Sequence, residues 1–224
     1  MVVFGGVQKV SLIDYPDNVT MVFFTVGCNF RCPFCHNPDL IFNAQNTFGN
    51  EKALELIKEK KGLINSVTIT GGEPTLHEDL PVFIREIKKM GLKVKLDSNG
   101  SFPSVLKECI DDLDYIAMDV KTSLSKYKLV GYTDLEKISE SIQLIKNKAK
   151  DYEFRATLAP GIINVDDLKE VGDLVKGAKR FYLQQFRQGN NLDKNFNPEP
   201  YSFEQIHLFK DILSHYVDNV ELRI

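Results

Sequence analysis

The stretch Cys28-Asn29-Phe30-Arg31-Cys32-Pro33-Phe34-Cys35-His36-Asn37 places three of the chain's four cysteines within eight positions, directly after an apolar run at residues 19–25. Thiolates are the usual protein ligands of iron–sulfur clusters, which normally take four of them. Here only three are at hand. A cubane cluster held by Cys28, Cys32 and Cys35 at three corners leaves its fourth iron open to water or to a small chelating ligand, and an open iron is where chemistry can happen. The spacing, three residues and then two, fits no common zinc signature, although His36 completes a three-cysteine, one-histidine set and keeps a structural zinc module as a rival reading. A disulfide is disfavoured, because clustered cysteines without a secretion signal point to a reducing compartment.

Outward from this stretch, strand-like and helix-like segments alternate, the signature of a parallel α/β architecture. The run at 19–25 reads as the first barrel strand, apolar throughout as a strand covered on both faces should be. The cysteine loop leaves its carboxyl end, where α/β barrels place their chemistry. Residues 66–70, 92–96, 114–118, 152–158 and 179–186 read as five further strands, and 50–61, 77–90, 133–148, 165–175 and 202–215 as helices. Asn50 and the Ser202-Phe203-Glu204 signal offer N-terminal caps, and Gly62 and Gly91 offer stops. The expected fold is a partial (β/α)6 barrel of parallel strands, open on one side, forming one domain over residues 1–224. Within it, residues 1–18, broken by Gly5-Gly6, form a hairpin or edge piece and 19–187 the barrel core. Residues 188–224 supply a polar loop on the active side, a helix and a short terminal strand at 220–224.

Composition bounds the function. A net charge of −3 with no basic tract argues against nucleic-acid wrapping. The lysine-rich stretches 58–61 and 146–150 sit beside acidic residues on expected helices and read as solvated faces. No apolar run reaches transmembrane length and no charged n-region with an apolar h-region opens the chain, so a cytoplasmic protein without a membrane partner is expected. Cys109, on a short helix within 103–110, reads as a buried small hydrophobe. With no second cysteine cluster, a single iron–sulfur cluster is expected.

Several strand ends carry unusual residues, and parallel strands bring them to one face. After the second strand stands Gly71-Gly72-Glu73-Pro74, where missing side chains let backbone approach a ligand and Glu73 can fix the strand end. After the third stands Asp97-Ser98-Asn99-Gly100, and after the fourth Asp119-Val120-Lys121. A carboxylate pair such as Asp97 and Asp119 could hold a cation or accept protons. Arg155 lies within a strand, where a charge needs a partner or a cavity.

The cysteine spacing, with an aromatic residue before the last cysteine, resembles the cluster loop of the radical S-adenosylmethionine superfamily. His36-Asn37 and the upstream Ser11-Leu12-Ile13-Asp14-Tyr15-Pro16 make the chain similar to glycyl-radical-enzyme activases, closest to the anaerobic ribonucleoside-triphosphate reductase activating proteins. The resemblance implies one [4Fe–4S] cluster on Cys28, Cys32 and Cys35, with S-adenosylmethionine at the open iron. It implies that Gly71, Gly72, Glu73 and Pro74 bind the methionine moiety and that Lys121 faces its carboxylate. Asp97 and Asp119, helped by backbone carbonyls at Ser98 and Ala117, would hold a monovalent cation, sodium or potassium. Arg155 would reach the nucleoside end, Phe34 would shield the adenine, Asn37 would contact the cofactor and His36 would face the adenine or the partner. Formate-lyase activases place a histidine near the adenine on the sixth strand, where this chain reads Gln184-Gln185-Phe186-Arg187, so Gln185 or Arg187 would substitute.

The implied activity is reductive cleavage of S-adenosylmethionine to methionine and a 5′-deoxyadenosyl radical, which takes a hydrogen atom from a glycine Cα of a partner glycyl-radical enzyme. A flavodoxin- or ferredoxin-type protein would supply the electron. The partner is expected to be an anaerobic ribonucleotide reductase, with a pyruvate formate-lyase-like enzyme as the alternative. Two rivals stand beside this reading: a radical enzyme of the same cofactor acting on a small molecule, and a non-enzymatic Cys3His zinc-binding interaction module.

Overall fold

Strands β1 (Phe4–Ser11), β2 (Thr20–Thr25), β3 (Ser66–Gly71), β4 (Lys93–Ser98), β5 (Tyr115–Asp119), β6 (Tyr152–Leu158), β7 (Arg180–Gln185) and β8 (Asn219–Arg223) form one sheet in chain order. They are seen in a computed structural model that describes residues 1–42 and 44–224. From β2 to β8 every neighbouring pair is parallel, while β1 runs antiparallel along β2. The six expected parallel strands are all present, and the terminal run adds a seventh in parallel beside β7. β1 and β8 do not pair, so the sheet is not closed.

The helices are α1 (Pro38–Phe42), α2 (Asn50–Lys60), α3 (Leu80–Lys89), α4 (Pro103–Cys109), α5 (Leu135–Lys148), α6 (Val165–Val175) and α7 (Phe203–Leu213). Each of α2 to α7 buries apolar side chains, whereas α1 buries none. In α3, Phe83, Ile84 and Ile87 recur at helical spacing and are buried, and Gly91 ends the element with a φ of 78°. α6 opens on a capping box in which Asn164 accepts from the Asp167 N–H, and α7 on one that joins Ser202 to Gln205. Asn50 is not a cap: α2 begins there after Gly49. No helix among the described residues is long and apolar enough to cross a membrane.

Strand side chains alternate between two faces, and the faces differ in chemistry. Met21, Phe23, Val67, Ile69, Val94 and Leu96 join the helices in the main core, at 0% exposure. Full burial of such a side chain is worth about 1.5–3 kcal/mol. The opposite face carries Thr68, Lys95, Asp97, Glu153 and Arg155 and is largely polar, with Val22 and Ala117 among its buried apolar members. At its amino-terminal end Tyr15 packs on Tyr115 with centroids 5.6 Å apart, and the Tyr115 hydroxyl donates to Glu153 at 2.7 Å. Arg223, from β8, donates to both oxygens of Glu153 at 2.8 Å. A cavity of about 610 Å³ lies at this end and holds no cysteine.

Candidate active site

The carboxyl ends of the strands open onto a cavity of about 580 Å³, ample for a nucleoside-sized ligand. Cys28, Cys32 and Cys35 line one end of it, and all three are free. Their loop is fixed at several points. Gly27, at a φ of 88°, starts it and donates to the Leu40 carbonyl at 2.8 Å. The Arg31 N–H donates to Val130 at 2.8 Å. From the far end of the chain, Leu192 N–H reaches the Cys35 carbonyl at 2.9 Å and Asp193 N–H the Pro33 carbonyl at 3.1 Å. Phe196 packs on Phe34 and Phe186, and the His36 ring stands 6.4 Å from Phe186. The polar loop expected on the active side is thus a strap over the cysteine loop.

The donor set fits a cluster with one unligated corner. Burial pushes the Cys28 thiol up to about 11, with the Glu73 charge adding to it, and burial pushes Cys32 up to about 12. Metal binding therefore displaces protons here. The Phe30 N–H, 3.4 Å from Cys28 Sγ, and the Asn99 amide, 3.9 Å from it, supply donors to a thiolate. Among the described residues no three His, Cys, Asp or Glu side chains gather closely enough to hold a single metal ion. A zinc knuckle needs four donors around one ion, whereas the thiolates of a cubane sit on separate irons.

The Gly71-Gly72 pair is explained by packing as much as by ligand access. Gly71 has a φ of 114°, and a Cβ there would strike the backbone of Thr25; one on Gly72 would fall on the Gly27 carbonyl oxygen. Both glycines let β3 stay bonded to the start of the cysteine loop, with Gly72 N–H on Thr25 and Glu73 N–H on Gly27. Both also line the cavity. Glu73 is 1% exposed, and its carboxylate accepts from the Thr75 N–H and hydroxyl, from Ser98 Oγ at 2.8 Å and from Asn99 N–H at 2.6 Å. Burial raises its pKa and these hydrogen bonds oppose the rise. Its role is to tie strand ends together, and the Ser98 hydroxyl is spent on it. Pro74 is buried at the start of a 3₁₀ turn, Pro74–Leu76, and does not line the cavity.

Asp97, Asp119, Lys121 and Arg155 come together as one ionic lattice with Lys95, which motif reading missed. Arg155 lies between the two aspartates, 3.2 Å from Asp97 Oδ2 and bonded through Nε to Asp119. Its guanidinium is committed to carboxylates on β4 and β5, and Arg155 also lines the cavity. Lys121 Nζ is 2.8 Å from Asp119 Oδ2 and Lys95 Nζ 2.7 Å from Asp97 Oδ1. Burial alone would raise both aspartates, but the adjacent Arg155 with Lys95 or Lys121 holds them below the usual carboxylate range. Every carboxylate oxygen is thus already matched by a side-chain cation. The pair does not fit the expected alkali-metal site.

Gln185, the last residue of the sixth parallel strand β7, and Arg187, two residues beyond it, both line the cavity, and the Gln185 amide donates to the Tyr201 carbonyl at 3.3 Å. Phe34 is buried and also lines the cavity, as do His36 and Asn37. Arg223 and Asn99 are further lining residues that sequence reasoning did not single out. Asn99 was legible in the quoted strand end, whereas Arg223 depended on knowing that the terminal strand joins the sheet.

An incomplete parallel barrel with three cysteines on the loop after its first parallel strand defines the fold of radical S-adenosylmethionine enzymes. The Radical SAM superfamily profile matches residues 22–175, and the chain belongs to that family. A Methanocaldococcus jannaschii protein provisionally named a glycyl-radical enzyme activating enzyme is 33% identical over 98% of this chain and 95% of its own length. A probable GTP 3′,8-cyclase from Thermococcus kodakarensis is 29% identical over 71% of this chain and 52% of its own. The crystal structure of Streptococcus suis SuiB bound to S-adenosylmethionine superposes with a TM-score of 0.71 at 15% identity, covering 91% of this chain and 49% of that one. The family implies a [4Fe–4S] cluster and S-adenosylmethionine, and makes the protein an enzyme of radical redox chemistry.

Proposed function

We propose that this chain activates a glycyl-radical enzyme, removing a hydrogen atom from a glycine Cα of a protein partner. The observation that carries the reading is the three-thiol corner of the cavity, joined to a likeness that spans nearly all of this chain and of the M. jannaschii relative. A reduced cluster and bound S-adenosylmethionine together supply the 5′-deoxyadenosyl radical.

The chain's residues do the holding. Cys28, Cys32 and Cys35 anchor the cluster, and the exposed backbone at Gly71 and Gly72 accepts the cofactor's amino group. Lys121 and the surplus positive charge of its lattice face the carboxylate. Phe34, Asn37, Gln185 and Arg187 bound the nucleoside end, while Glu73 and Ser98 keep the strand ends in place. The Ser11-Leu12-Ile13-Asp14-Tyr15-Pro16 signature favours an anaerobic ribonucleotide reductase as the partner, and a flavodoxin- or ferredoxin-type protein as electron donor follows from the same likeness.

The GTP cyclase relative supports a second reading, in which the same radical acts on a small molecule. Anaerobic incubation with S-adenosylmethionine, a reductant and candidate glycyl-radical enzymes separates the two. The activase gives a doublet glycyl signal in the electron paramagnetic resonance spectrum of one partner. Deoxyadenosine formed with no such signal on any partner, while a small metabolite is consumed, overturns it.

A further inference from the structure

Lys95 stands two residues before Asp97 on β4, so the strand period turns both side chains to the polar face. Its side chain is 5% exposed, and its ammonium lies 2.7 Å from Asp97 Oδ1. Lysine is almost never this buried unless paired. Its register neighbours, Thr68 on β3 and Tyr115 on β5, carry no charge. Among the described residues Asp97 is its one ion-pair partner.

The charge count of the lattice follows. Lys95, Lys121 and Arg155 are ion-paired only with Asp97 and Asp119, and Glu153, the next acid on this face, is matched by Arg223, which leaves one positive charge in excess. Without Lys95 the four remaining groups would be neutral. A ligand carboxylate arriving at Lys121 would then meet no net compensation. With Lys95 present, an alkali-metal ion would have to enter beside three fixed cations and share oxygens that each already face a side-chain cation. An ammonium is also close to potassium in size and, like it, is satisfied by oxygen atoms.

We propose that the Lys95 ammonium takes the place of a monovalent metal cation beside Asp97 and Asp119, so that this enzyme binds the carboxylate of S-adenosylmethionine without sodium or potassium. The inference rests on the S-adenosylmethionine reading of the cavity. Lys95 acts through Asp97 and is a positioning residue, since its ammonium does not line the cavity.

The test compares S-adenosylmethionine binding by the anaerobically reconstituted protein in tetramethylammonium, sodium and potassium salts at equal ionic strength. Wild-type affinity is expected to change by less than about twofold among the salts. Lys95→Met, which keeps the stem and removes the charge, is expected to bind about tenfold more weakly in tetramethylammonium and to recover most of the loss in potassium or sodium. Sodium NMR gives a readout independent of the cofactor: the variant broadens the sodium line and the wild type does not. A wild type whose affinity rises about tenfold on adding potassium overturns the proposal. So does a variant weakened equally in every salt, which is what a purely structural lysine would give. A wild type that binds no S-adenosylmethionine in any salt removes the cofactor reading and the proposal with it, and is distinguishable from either of those results.

Discussion

Glu73 Oε2 accepts the backbone N–H of Asn99 at 2.6 Å, so a buried carboxylate at the end of β3 holds the end of β4. Its other oxygen takes Ser98 Oγ and the Thr75 N–H, leaving both oxygens occupied by donors. Glu73→Gln replaces one acceptor by an amide that points a donor at another donor. The expected cost is about 1–3 kcal/mol of stability, read as a lower urea midpoint with an unchanged slope. The affinity for S-adenosylmethionine should fall with it. A variant as stable as the wild type would show that Glu73 does not organise these strand ends.

This tie also shows why some of the site was readable in the sequence and some was not. The six parallel strands announce themselves because each carries a short apolar stretch whose core-facing side chains are buried. The cysteine loop does so because its ligand spacing is rigidly tied to its chemistry. Glu73 and Arg155 were recognisable as unusual residues, but their partners lie on neighbouring strands, and register is not visible in a single strand's pattern. Lys95 escaped notice although its spacing from Asp97 places both on one face. The element Leu124–Val130, a 3₁₀ helix, and the five-residue α1 are too short to leave a periodicity. The terminal strand is an edge strand whose place was fixed only by its pairing with β7.

The strap predicts protection of the cysteine loop. Phe196 packs against Phe34 and Phe186 while its neighbours Leu192 and Asp193 bond to the Cys35 and Pro33 carbonyls. Phe196→Ala should cost about 1–3 kcal/mol, less than a fully buried phenylalanine. It should also bleach the visible absorption of the reconstituted protein several-fold faster in air. Bleaching at the wild-type rate would mean that the strap does not shield the loop.

The acid limb of stability should report the lattice. Despite burial, Arg155 with Lys95 or Lys121 holds Asp97 and Asp119 below the usual carboxylate range. Around pH 4, near the ordinary value of about 3.9, the unfolded chain therefore binds more protons than the folded one. The contribution of these aspartates is complete above about pH 5 and is lost as pH falls below about 4 toward their folded values. Asp119→Asn leaves Lys121 without its ion-pair partner and Arg155 with Asp97 alone, and should cost about 3 kcal/mol at pH 7, with a shallower fall below pH 4. Urea midpoints from pH 7 to pH 3 check both statements. Equal acid slopes for the two proteins would contradict them.

The central claim is that Cys28, Cys32 and Cys35 hold a cluster whose open corner takes S-adenosylmethionine. It is tested most directly by measuring iron, sulfide and 5′-deoxyadenosine after anaerobic reconstitution of the wild type and of the three single cysteine-to-alanine variants. The wild type should hold about four irons with matching sulfide and cleave S-adenosylmethionine when reduced, and each variant should lose cleavage. A single alanine variant that cleaves at the wild-type rate, or a wild type that takes up one zinc and no sulfide, would contradict the account.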